Sequence, residues 1–244
     1  MYLIRIDAMH VLDLRGVIAI AAGSLYVHLI TFYDPLGATQ QARLDNLNER
    51  MRAFQRGQTD HHMPPLRLAD LKLEGWSCLH GKLVKAANTR ALVPWLLHLA
   101  NTVLSQVGAF TSATRNVFQA LSDIERIMYS ADRFFTDEEN DAYAEAFLKL
   151  GENWQFLRAE SRRARIDAWQ ITPKVHISMH LPMQARMMNP RFVQVYGEES
   201  LVGRITRIWH AAANGPYANV IQPHTLSRYF CGLELRMTAD LVVG

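Results

Sequence analysis

The sequence is poor in cysteine. Only Cys78 and Cys231 occur in 244 residues, far apart and without a Cys-x-x-Cys spacing. A disulfide framework of the small secreted kind is therefore excluded, and two reduced thiols in an intracellular protein are expected. An excess of one charge is also missing. The formal net charge is +3 and the pI about 8.9, a mildly basic balance that does not by itself demand a nucleic-acid partner. There is no P-loop, no Gly-x-Gly-x-x-Gly, no Gly-x-Ser-x-Gly and no His-Glu-x-x-His, so nucleotide hydrolysis, dinucleotide chemistry, serine hydrolysis and zincin chemistry lose support. One run, Val17 to Phe32, is strongly apolar. It is shorter than the ~20 residues that span a bilayer, and Gly23, Ser24 and His28 interrupt it. Asp7 and Asp13 stand where a signal peptide would be basic. A buried core helix is expected there, and no membrane partner.

What remains is an ordinary globular composition, 49% hydrophobic and 20% charged, too apolar for a disordered chain. The length suits one large domain or two small ones. Tyr2, Leu3, Ile4 and Ile6 favour a short strand over Met1 to Ile6, followed by a long apolar helix from Met9 to Phe32. Asp34-Pro35-Leu36-Gly37 reads as a turn. Leu44, Leu47, Met51 and Phe54 recur at helical spacing within Thr39 to Gln55. Lys85 to Val107 reads as a helix with a break or kink from Pro94 near Leu92. Thr111 to Tyr129 is a further helix. Thr136-Asp-Glu-Glu139 is a capping box, followed by one apolar face of Tyr143, Phe147, Leu150, Trp154 and Leu157. Pro173 opens a helix that Asn189-Pro190 ends. Phe192 to Tyr196 is a candidate strand, and helices are expected from Glu198 to Ala212 and from Pro223 to Thr238. The expected fold is a mainly α, multi-helix domain over residues 1–244 with at most two or three short strands.

Four groups of residues could carry chemistry. Asp7-Ala-Met-His10 lies at a helix start, where Asp7 could cap the helix or fix the imidazole of His10. His176 and His180 share a helical face at i, i+4 spacing that suits Zn²⁺, but Ile177 replaces the glutamate of the metalloprotease pattern and no third ligand is evident. Glu198 and Glu199 open a helix, where carboxylates suit the macrodipole or could hold Mg²⁺ for phosphodiester chemistry. Arg158, Arg162, Arg163 and Arg165, with Arg204 and Arg207 further on, could meet phosphates or form a solvated helix face paired with residues such as Glu160.

The order of these parts resembles the cut-and-paste DNA transposases of the hAT and CACTA type. Ile6-Asp-Ala-Met-His10 before a long apolar helix looks like their Asp/Cys-x-x-His motif, and Asn189 to Ser200 would lead into the helix of their last catalytic glutamate. The resemblance implies an RNase H-like core split by a helical insertion. Residues 1–42 would be a core segment, 43–188 the insertion and 189–244 the returning core helices. It further implies that Asp7 and His10 brace a site, that Glu198 or Glu199 ligates Mg²⁺, and that the arginines contact DNA in a nucleus. Two catalytic aspartates precede the motif in those families, whereas six residues precede Asp7 here. The resemblance therefore implies a transposase-derived fragment that is inactive alone. The alternative from the residues themselves is a non-catalytic helical scaffold or self-associating interaction domain.

Overall fold

Threonine side chains cap three of the helices in the computed structural model, which describes residues 5–56, 63–71, 77–79, 86–104 and 108–194. Of the two units into which the chain divides, Met1–Gln194 and Val195–Gly244, these residues belong to the first. The capping box closes as its spacing predicts. Thr136 Oγ1 accepts from the Glu139 amide at 3.2 Å, and Glu139 Oε2 accepts from the Thr136 amide at 2.9 Å. The longest helix, α5 (Asp137–Arg163), follows. Thr39 caps α2 (Gln40–Gln55) by accepting from the Ala42 amide at 3.1 Å. Pro173 occupies the first turn of α6 (Pro173–Ser178).

The remaining helices are α1 (Val17–Phe32), α3 (Ala86–Thr102), α4 (Ala109–Ser130) and α7 (Leu181–Ala185). Single turns of 3₁₀ helix occur at Asp34–Leu36, Leu68–Asp70 and Pro190–Val193. The expectation of a mainly helical domain is met, and there is no strand among the described residues. Arg5 and Ile6 are not in a strand, and Pro190–Val193 is 3₁₀ helix where Phe192 was expected to begin one.

Two helix expectations need correction. The long helix from Met9 to Phe32 is divided. Met9–Asp13 forms a π-helical turn, closed by the Leu14 amide on Met9 O at 2.8 Å. Arg15 then takes a φ of 51° and α1 begins after Gly16. A Cβ on Gly16 would lie 2.1 Å from Val11 O, so the fold of this corner requires glycine. Conversely, Pro94 does not break α3, which runs unbroken through it. The missing amide bond and the ring clash are offset by burial around the proline. Leu92, Val93, Trp95, Leu96 and Leu99 are all buried.

The core is built around α1. Every residue from Val17 to Val27 is buried, as are Leu29 and Ile30. The Met9–Phe32 stretch is apolar enough by length and composition to cross a membrane, but here the π-helical turn, α2, α3 and α6 pack round α1. α4 and α5 form an antiparallel hairpin, since Tyr143 meets Met128 near the connection while Asn153 meets Asn116 at the far end. Tyr143, Phe147, Leu150, Trp154 and Leu157 are all buried on α5, as their spacing predicts.

Long-range polar side chains close the helix ends. Buried Arg43 donates to Ile30 O at 2.9 Å, Thr31 O at 2.8 Å and Gly37 O at 2.7 Å, and pairs with Asp34. It thereby caps the last carbonyls of α1 from α2. Asn189 does the same for α4, donating to Met128 O at 2.9 Å and Asp132 O at 3.0 Å. Arg43→Lys keeps the charge but loses the planar fork that reaches several carbonyls at once. It is expected to lower unfolding stability by about 1–3 kcal/mol, the cost of buried acceptors left unmet, as measured by urea denaturation.

Candidate functional site

Asp7 and His10 come together. His10 Nδ1 lies 2.5 Å from Asp7 Oδ2, while Asp7 Oδ1 accepts from the Met9 amide at 3.0 Å. The capping role and the imidazole-bracing role are therefore filled at once, one by each carboxylate oxygen. An ionised Asp7 keeps the proton on Nδ1 and makes Nε2 the acceptor nitrogen of His10. The pair is partly exposed, the His10 side chain at 41% and Asp7 at 19%.

Distant residues hold this corner in place. The Gln184 amide imitates a paired strand, accepting from Ile6 N at 2.6 Å and donating to Ile6 O at 2.9 Å. Lys174 donates to Leu14 O at 2.5 Å, just beyond the π-helical turn. Burial, with Arg15 nearby, holds the Lys174 amine below its usual pKa. Arg5, Ile6, His180, Met183, Gln184, Met187, Met188 and Val193 line a cavity of about 300 Å³.

One turn past His10 lies a group that the sequence motifs do not mark. Asp13 is fully buried at the end of the π-helical turn. Glu125 on α4 has a buried Oε1 that accepts no hydrogen bond. Arg90 on α3 donates to the Tyr129 hydroxyl at 2.5 Å and lies 4.5 Å over its ring. That hydroxyl donates in turn to Gln194 at 2.8 Å. Burial, and then the charge of Asp13, push the Glu125 carboxyl well above the ordinary range against the opposing pull of Arg90. Burial and the Glu125 charge raise the phenols of Tyr129 and Tyr143. A signal was present in the sequence. Asp13 interrupts the apolar run Val11-Leu12-Asp13-Leu14, and Glu125 directly follows Ile124 of the buried α4 face.

The other candidates fare unevenly. His176 and His180 meet edge to face, with ring centroids 5.2 Å apart. They do not share one helix: His176 is on α6, while His180 lies in the turn at Met179 and His180 that separates α6 from α7. Among the described residues no three His, Cys, Asp or Glu side chains group in a way that could hold a metal, so the Zn²⁺ alternative acquires no third ligand there. Arg158 was expected to face phosphate but is turned inward, donating to Asp167 Oδ1 and Ala168 O, both at 3.0 Å. Burying its long stem against the loop after α5 and pairing with Asp167 takes it off the surface. Arg163 is exposed and pairs with Glu160. Arg162 and Arg165 are exposed at the end of α5. Glu198, Glu199, Arg204, Arg207 and Cys231 lie outside the described residues. Cys78 is buried, and its thiol donates to Leu79 O at 3.3 Å.

No protein-family model, curated protein or solved structure matches this chain.

Proposed function

We propose that this chain is related to the DNA-cleaving RNase H-like transposases and that it binds DNA. The observation that carries this reading is the Asp7–His10 pair. It is joined at 2.5 Å in the π-helical segment that precedes buried α1, which supports the Asp-x-x-His resemblance. Arg162, Arg163 and Arg165 supply phosphate-binding charge at one helix end. Arg158 serves the fold instead. Any Mg²⁺ would be held by Glu198 or Glu199, and no reaction step is assigned to it.

Fluorescence anisotropy with a labelled duplex at increasing salt tests the reading. The expected result is a linear fall of log affinity with log salt, at about −0.9 per contacted phosphate. Arg162→Gln with Arg165→Gln should reduce the slope by about 2. Affinity that ignores salt would count against DNA binding.

A second reading, a non-catalytic interaction domain, is favoured by exposed apolar side chains around α6 and α7. Ile171, Ile177, Met183, Met187 and Phe192 are all exposed, Met183 at 70%. Pliable methionines beside a cavity are a common way to receive a partner's apolar side chains.

A further inference from the structure

We propose that the cavity between α7 and residues Arg5 and Ile6 binds a small amphiphile, with a carboxylate head on the Arg5 guanidinium and a single apolar tail among the α7 methionines. The walls supply the first ground. The cavity's volume of about 300 Å³ lies at the lower end of the ~300–1,000 Å³ of small-molecule sites. Its apolar lining is Ile6, Met183, Met187, Met188 and Val193. Met183 is 70% exposed and Met187 53%, whereas Met188 is 7%, so the thioethers run from solvent inward. Such unbranched side chains adapt to the shape of an apolar guest, and covering them takes apolar surface out of water.

The second ground is a cation without an anion. Arg5 is exposed, and its hydrogen bond among the described residues is a long contact to Met188 Sδ at 4.0 Å. No Asp or Glu lines the cavity. A guanidinium stays charged and presents a planar fork that matches a carboxylate with two parallel bonds. A thioether is a weak acceptor, so a carboxylate displaces it at little loss. His180 lines the same cavity. Its ring meets His176 edge to face, and one of its ring nitrogens carries a proton in either charge state, which gives the head a second donor.

The third ground is that the head site is built before a ligand arrives. Gln184 spends both ends of its amide on Ile6, accepting from Ile6 N at 2.6 Å and donating to Ile6 O at 2.9 Å. It is a positioning residue, fixing the backbone next to Arg5 against α7. A site ordered in advance loses less freedom on binding. Neither the Asp7–His10 pair nor the arginines of α5 take part, so the proposal stands or falls apart from the DNA-binding reading.

Methyl NMR of the whole chain with isotope-labelled methionines tests it. The signals are assigned by replacing one methionine at a time with leucine. Octanoate, kept below its micelle concentration at pH ~7, where an ordinary carboxylic acid is ionised, should move Met183, Met187 and Met188 along one saturable curve. Met51, which meets the Tyr26 hydroxyl elsewhere in the core, should stay in place. Octanol keeps the tail without the charge and should bind about tenfold or more weakly, the loss expected for a hydrogen bond to a charged group. Acetate keeps the head without the tail and should bind more weakly still. Arg5→Gln should weaken octanoate by about tenfold or more and leave octanol unchanged. Octanol that binds as tightly as octanoate, or an Arg5→Gln variant with wild-type affinity for octanoate, overturns the assignment of the head. Acetate as tight as octanoate overturns the tail. Shifts that include Met51, or that spare Met183, Met187 and Met188, overturn the site itself. Should the variant fail to fold, the comparison of octanoate with octanol on the wild-type chain decides.

Discussion

Gly23→Ala is expected to destabilise the protein by at least about 2–3 kcal/mol, the upper range for overpacking a well-filled core. A Cβ at position 23 would lie 2.5 Å from Cys78 Cα and 2.6 Å from its carbonyl carbon. Both are backbone atoms, so no side-chain rotation relieves the collision. The segment 77–79 has no room to withdraw. Its Leu79 amide donates to Ala19 O on α1 at 3.0 Å, and its Ser77 amide to Asp167 O at 2.8 Å. An irregular strip of backbone thus lies across a central helix, and the helix must lack a side chain where they cross. Gly151→Ala on α5 is the contrasting control. Its Cβ would meet only Met179 Sδ at 3.6 Å, an ordinary contact, and the better helix propensity of alanine is worth about 1 kcal/mol. Thermal and urea unfolding should separate the two variants in opposite directions. Similar small effects would mean that 77–79 does not sit against α1.

The second large effect is expected at Trp154. Trp154→Ala should cost about 3–5 kcal/mol in urea unfolding, the usual range for removing a buried aromatic. Trp154 is 1% exposed and stands edge-on to Trp169 at 5.3 Å. Its indole donates to the Trp169 carbonyl at 3.0 Å. Trp169 itself holds a positive φ of 55°, and its amide donates to Ser24 Oγ on α1 at 2.9 Å. Trp154 therefore fills volume and also fixes the loop between α5 and α6, which Trp169 ties to α1. Trp154→Phe keeps an aromatic ring and loses the donor, so it should cost clearly less than the alanine variant. Equal losses would show that the hydrogen bond, not the packing, dominates.

Interactions closed within one or two helical turns were legible in the sequence. The Thr136 capping box, the Thr39 cap, the apolar face of α5 and the meeting of Asp7 with His10 all depend on spacings of three or four residues. Helical geometry turns such spacings directly into distances. The burial of α1 was legible for a related reason: a run that apolar had to be covered.

Tertiary packing decided the rest. The close approach of Val11 O at Gly16 divided the expected long helix, and burial on both sides of Pro94 carried α3 through a residue that local preference would make a break. Gln184 reaches Ile6 across 178 positions, and Arg158 turns towards Asp167 and Ala168 instead of solvent. Asp13 and Glu125 belong to different elements, and the sequence marks each only by its apolar neighbours. The Asp-x-x-His motif at the start was visible as a pair, whereas what Asp13 one turn beyond it would face was not. The sequence alone determined where the threonine-capped helices α2 and α5 begin and which face α5 buries, because those depend on local hydrogen bonds and periodic apolar contact. Which charged groups share a low-dielectric interior was decided only when distant helices packed, because desolvation and repulsion arise between groups that the fold, not the chain order, brings together.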